Sequence, residues 1–134
     1  MTRTEERECL MQLFFQMEIQ NDYSDRIKES YLKENFNQKQ ESYARKLCDA
    51  VLSHLEEIDE KIDTGSRKQN TKRMAKVDLA IARLAVGEIL YMESIPDPVA
   101  IDEAVNMARK YSTEESRKFI NGLLGQIVKK KNES

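Results

Sequence analysis

Residues 117–127, RKFINGLLGQI, admit two readings, and the choice between them decides the fold. Asn121-Gly122 between apolar neighbours is the sequence of a tight β-hairpin turn. Against that, Phe119, Ile120, Leu123, Leu124, Ile127 and Val128 recur in pairs every four residues, a helical spacing. Upstream, Ser112 and Glu115 have the spacing of a capping box and predict a helix start just before the stretch. The helix reading is therefore preferred. It carries a cost, since Gly122 and Gly125 together lose roughly 2 kcal/mol of helix propensity relative to alanine. The two glycines lie three apart on one face, so the expected compensation is close packing of another helix against them.

The rest of the chain reads the same way. From Glu5 to Gln20 one stripe holds Cys9, Leu10, Leu13, Phe14 and Met17, and a second beside it holds Met11, Phe15 and Ile19. So wide an apolar arc implies either burial on two sides or one core face plus a face for a partner. Ser24 is the expected N-cap of a short helix near Asp25 to Glu34. Asn37 followed by Gln40 resembles a capping box for one long helix with Ala44, Leu47, Cys48, Val51, Leu55, Ile58 and Ile62 on its inner face, stopping at Thr64-Gly65. Residues 66–76 lack a period and are expected to be a connector. Val77 to Met92 is apolar nearly all round, the pattern of a central helix. Ile95-Pro96-Asp97-Pro98 interrupts it, and Asp97 with Pro98 is expected to open a helix burying Ile101, Ala104, Val105 and Ala108. No segment alternates as a strand would. The expectation from the residues is an all-α domain of five or more helices with short connections.

Composition narrows the functional classes. Hydrophobic residues are 40% and charged residues 34% of 134, a balance that suits a folded, helical domain. No apolar run reaches the roughly 18 residues of a membrane span. The N-terminus carries no secretory pattern and Cys9 and Cys48 are isolated, so a cytoplasmic protein with reduced thiols is expected. His54 is the sole histidine and has no metal-spaced partner, and neither a nucleophile elbow nor a phosphate-cradling glycine loop is present. Neither an enzyme nor a metal or cofactor binder is expected. Arg83, in the middle of the most apolar helix, calls for a buried carboxylate, with Asp78, Glu88 and Glu103 as candidates.

With a formal net charge of −2, any nucleic-acid site must be a local patch. Residues 67–76, RKQNTKRMAK, hold Arg67, Lys68, Lys72, Arg73 and Lys76 and no acidic residue. Such clustering serves phosphate neutralisation with counterion release, or simply a solvated loop. Lys129-Lys130-Lys131 complements the dipole at a helix C-terminus.

Three segments taken together resemble the NusB family of bacterial transcription antitermination factors: RECLMQLFF at 7–15, KVDLAIARLAVGEIL at 76–90 and IPDPVAIDEAVNMARKYSTEESRKFINGLLGQI at 95–127. The ordered set of IP, VAIDEAV, ARKY and KFINGLL is the specific part. The resemblance implies a single all-α domain over 1–134, five to seven helices in two packed subdomains, about 1–65 and about 66–131, without catalysis. It also implies a heterodimer with the small-subunit ribosomal protein NusE that binds the boxA element of nascent ribosomal RNA, and assembly with NusA, NusG and RNA polymerase. Some family members form homodimers.

By the same resemblance, the family's arginine-rich, RNA-contacting N-terminus falls on Arg3 and Arg7, although TRTEERE also holds three glutamates and sums to −1. Apart from the resemblance, the basic stretch from Arg67 to Lys76 is expected to compensate, with Lys72, Arg73 and Lys76 adding RNA contacts. Phe15 falls where an aromatic lies near RNA, its alternative being a second core face. Lys118 is expected to face RNA, and Glu115 and Phe119 a partner. Glu88 matches a glutamate that faces the ribosomal protein, with Gly87 in place of the usual tyrosine. Asp102, Ser112 and Gly125 stand where asparagine, glycine and aspartate are common. A divergent protein-interaction module that has lost RNA binding is the alternative. Some ribosomal RNA cytosine methyltransferases begin with such a domain, but 134 residues leave no room for a methyltransferase fold, so that activity is not expected.

Overall fold

In the computed structural model, which describes residues 1–37, 41–66 and 70–133, those residues form seven helices and no strand. They are α1 (Arg3–Gln20), α2 (Asp25–Asn35), α3 (Glu41–Ser53), α4 (Leu55–Gly65), α5 (Lys76–Tyr91), α6 (Asp97–Tyr111) and α7 (Glu114–Glu133). The all-α expectation holds. Residues 117–127 lie wholly inside α7, so the hairpin reading is excluded.

Helix α5 is the hub. Every residue from Asp78 to Ile89 is buried, and α1, α3, α4, α6 and α7 all pack against it. The core is one continuous cluster running from Leu10 to Ile127, drawing on both halves of the chain. Burial on all sides explains why α5 shows no polar face in the sequence.

Local chemistry sets the helix ends. Thr2 caps α1, its hydroxyl accepting from Glu5 N while the Glu5 carboxylate accepts from Thr2 N. Asn21, in the left-handed region at φ 52°, closes the helix. Ser24 caps α2 as expected, its hydroxyl accepting from Ile27 N.

Four local expectations are corrected. The long helix after Asn37 is two helices, α3 and α4, divided at His54; Gln40, half of its expected capping box, lies outside the described residues. At the break His54 Nδ1 donates to Ala50 O at 2.9 Å, the carbonyl a continuing helix would offer to the backbone N–H. The His54 N–H turns instead to Val51 O, and the ring stacks on Tyr91 with centroids 4.0 Å apart. The cap of α7 is Thr113, whose hydroxyl accepts from Ser116 N, because Ser112 Oγ is committed to Asp78. The cap position of α6 is Pro96, one residue earlier than expected, with Asp97 in the first turn.

The fourth correction concerns the glycines. A Cβ at Gly122 or Gly125 would meet nothing within 4 Å, so neither is a close-packing position. The packing glycines are elsewhere. At Gly87 a Cβ would lie 2.5 Å from Val51 Cγ2 and 3.3 Å from Leu47 Cδ1, so it is the missing side chain that lets α3 lie directly on α5. At Gly65 a Cβ would lie 2.9 Å from Leu123 Cδ1, where the end of α4 meets α7.

No helix among the described residues is long and apolar enough to cross a membrane.

Gly87→Ala should destabilise the fold by up to about 2 kcal/mol. Overpacking against the stiff, β-branched Val51 costs about 1–3 kcal/mol and helix propensity returns about 1. Added to Val51→Ala, the same substitution should cost far less, which urea denaturation of the four variants of the cycle would reveal. Additive losses would show that the two positions do not compete for space.

Candidate nucleic-acid interface

Three charged side chains of α5 are buried, Asp78, Arg83 and Glu88, and each finds its counterpart on a different set of helices. Glu88, fully buried, takes Arg7 Nε at 3.1 and 2.9 Å on its two oxygens, and accepts the Tyr43 hydroxyl at 2.5 Å. Burial pushes the Glu88 carboxyl above its ordinary range, against the Tyr43 hydrogen bond and the Arg7 charge. Arg7 is only 3% exposed, and its second contact is Glu103, 3.8 Å away.

The expectations for both residues are therefore corrected. The resemblance turns Arg7 toward RNA and Glu88 toward a protein partner, but in the structure they face each other inside the core. Sequence spacing alone does not distinguish the inner face of α1 from its outer one. Arg3 remains at the surface, its guanidinium 4.0 Å above the Tyr43 ring and its Nε 3.2 Å from Glu6.

Arg83 also departs from expectation. Its partners are Asp59 on α4, through two bonds of 2.8 Å, and Glu18 on α1 at 2.7 Å, with Tyr23 Oη at 3.0 Å. None of the candidates Asp78, Glu88 and Glu103 is used. Glu18 also accepts from Tyr23 and pairs with Lys76 at 3.1 Å. Burial opposes ionisation of Glu18, yet the hydrogen bonds from Tyr23, Arg83 and Lys76 outweigh it and hold its carboxyl at about 2.

Asp78, which sequence reasoning offered only as a partner for Arg83, has a positioning role. Its two oxygens accept the Ser112 and Ser116 hydroxyls, each at 2.6 Å, and so tie the start of α5 to the start of α7. That bond brings two segments distant in sequence to one place. In the turn before α5, Asn70 Oδ1 accepts from the Lys72 and Arg73 N–H groups, Thr71 N donates to Asp63, and Met74 is buried. The anchored turn leaves Lys72 and Arg73 exposed. Between this turn and α7 runs a groove of about 450 Å³ lined by Arg73, Ala75, Glu115, Ser116, Lys118 and Phe119, with Asp78 beneath.

The structure thus brings Arg73, Glu115, Lys118 and Phe119 together, with Lys72 on the adjoining turn. Lys76 is half-buried and occupied by Glu18. Arg67 and Lys68 lie outside the described residues. Phe15, 38% exposed, and Ile19, 56% exposed, form an apolar strip on α1, whereas Met11 from the same stripe is buried. The second stripe is therefore split between core and surface.

The NusB family model matches residues 4–129. The chain belongs to the NusB family. Among its NusB relatives, the transcription antitermination protein NusB of Finegoldia magna is 39% identical over 132 residues, 98% of this chain and 96% of that protein. The structure of T. maritima NusB superposes with a TM-score of 0.86 at 35% identity, covering 96% of this chain and 92% of that one. A crystal structure of the antitermination factors NusB and NusE in complex with double-stranded RNA matches with a TM-score of 0.82 at 25% identity, covering 97% and 99%.

Two outcomes are expected from the buried charges. Arg7→Ala should lower stability by about 3–5 kcal/mol because it strands a buried carboxylate, whereas Arg7→Met with Glu88→Leu should recover most of the loss. An Arg7→Ala chain as stable as the parent would return Arg7 to a surface role. For Glu18 the folded carboxyl lies below its ordinary 4.5, so its contribution is present above that pH and is lost as pH falls toward about 2. Acid titrations followed by circular dichroism should show a shallower loss of stability for Glu18→Gln over that window.

Proposed function

We propose that the chain is a transcription antitermination factor that binds boxA-type RNA of nascent ribosomal transcripts jointly with NusE. The observation that carries the RNA-facing assignment is the groove between the 70–76 turn and α7. There Arg73 and Lys118 flank the half-buried Phe119, with Lys72 beside them. Among the described residues these three cations form no ion pair with a carboxylate. Cations placed around an aromatic edge suit phosphates and unstacked bases together. Arg3, at the surface above Tyr43, lies apart from this groove in a cleft with Glu6, Lys46 and Met92, and is a separate candidate contact.

The exposed pair Phe15 and Ile19 is our candidate for the protein-partner side, with Glu115 and Phe119 at the border of the RNA groove. A homodimer using the same apolar strip would compete with NusE. The reading includes no catalysis and no cofactor, a cytoplasmic location, and assembly with NusA, NusG and RNA polymerase.

The test is a fluorescence titration of boxA-type RNA with the chain at two salt concentrations, with and without NusE. NusE should raise the affinity, and Arg73→Glu with Lys118→Glu should lower it and reduce the salt slope by about 1 for each phosphate left without its cation. Affinity that is indifferent to NusE and to both substitutions would sink the reading and leave a protein-interaction module in its place.

A further inference from the structure

Gly122 presents a contradiction that the fold does not resolve. It lies within α7 without a positive φ, and a Cβ there would touch nothing within 4 Å. Neither backbone conformation nor internal packing requires glycine, so alanine would stabilise the helix. What Gly122 does line is a second open groove, about 420 Å³, between α7 and the end of α4, bounded also by Gly65, Lys118, Phe119, Gln126 and Lys130. Gly65 makes this groove possible: with no side chain, it lets the end of α4 settle against Leu123 of α7 and form the opposite wall.

This groove and the one described above share Lys118 and Phe119, so the two adjoin at that pair. Among the described residues the lining of the second groove holds Lys118 and Lys130 and no carboxylate, and the exposed Lys118 at its mouth suits a phosphate-bearing strand. Gln126 adds a side chain able both to donate to and accept from a base edge. A helix surface stripped of its Cβ allows a ligand to approach the α7 backbone closely, a use of glycine independent of turns.

We propose that Gly122 is a specificity-determining position, kept free of a side chain so that the RNA strand continues past Phe119 into the groove between α7 and the end of α4. The inference rests on the RNA-binding reading above and extends it to a second nucleotide subsite. Gly125, which does not line the groove, is the internal control.

The experiment uses the full chain with NusE and boxA-type RNA, comparing Gly122→Ala, Gly122→Leu and Gly125→Ala with the parent. Both alanine variants should melt about 3–5 °C higher than the parent. RNA affinity should fall severalfold for Gly122→Ala and further for Gly122→Leu, while Gly125→Ala binds RNA as the parent does and all variants bind NusE normally. RNA affinity unchanged in both Gly122 variants overturns the proposal while leaving the RNA-binding reading intact. A loss confined to NusE binding overturns it in favour of a protein in the groove. An equal RNA loss at Gly125, or a lower melting temperature for Gly122→Ala, removes its premise. Absence of RNA binding by the parent overturns the proposal together with the reading on which it rests.

Discussion

Three charges placed five residues apart along one buried helix organise this fold. Asp78, Arg83 and Glu88 all lie within α5, which is otherwise apolar, and a buried charge without a partner is too costly to persist. Each is satisfied from outside its own helix: Asp78 by the serines at the start of α7, Arg83 by α4 and α1, and Glu88 by α1 and α3. Apolar packing alone would tolerate rotation of the surrounding helices about α5. The polar partners fix the direction from which each helix approaches and its register along the hub. Gly87 completes the arrangement by removing the side chain that would hold α3 away from Tyr43's bond to Glu88.

The groove between the 70–76 turn and α7 inherits its geometry from that framework. Lys118 and Phe119 sit one turn beyond Thr113 and Ser116, and Ser116 is bound to the same carboxylate as Ser112. Arg73 sits on a turn held by Asn70, by Asp63 and by the buried Met74. Asp78 is therefore the residue through which the core positions the surface. Only 3% exposed, it brings a basic turn and a helical motif together from more than forty positions apart, as from Arg73 to Lys118.

Much of this is legible in the sequence, and the gaps have physical causes. Periodicity gives the helices and the centrality of α5, since burial on all sides leaves a distinctive pattern. Ser24 is readable as a cap because capping is local. The break at His54 is hidden, because the inner-face pattern continues through it and only the His54–Tyr91 stack and the Ala50 bond reveal it. The partners of Arg83 and Arg7 are unreadable for a related reason: pairing across 24 to 81 positions is decided by tertiary geometry. The resemblance points to Arg7 and Glu88 as notable but does not assign them an inward role. The groove combines both kinds of information: Lys118 and Phe119 come from one local motif, whereas only the fold brings Arg73 alongside.

Charge distribution follows from the same framework. The net charge of −2 disfavours RNA binding in principle, but net charge is a poor guide when many carboxylates are internally committed. Glu18, Asp59 and Glu88 are paired with arginines within the framework, and Glu8 and Glu103 tie α1 to α6 through Lys110, Tyr111, Thr4 and Arg7. A carboxylate already neutralised by a neighbouring cation projects little field toward solvent. The cations of the 70–76 turn and of α7 therefore stand out against a surface less acidic than the composition suggests. An acidic chain can thus present a locally basic edge, provided its core uses enough of its own acid.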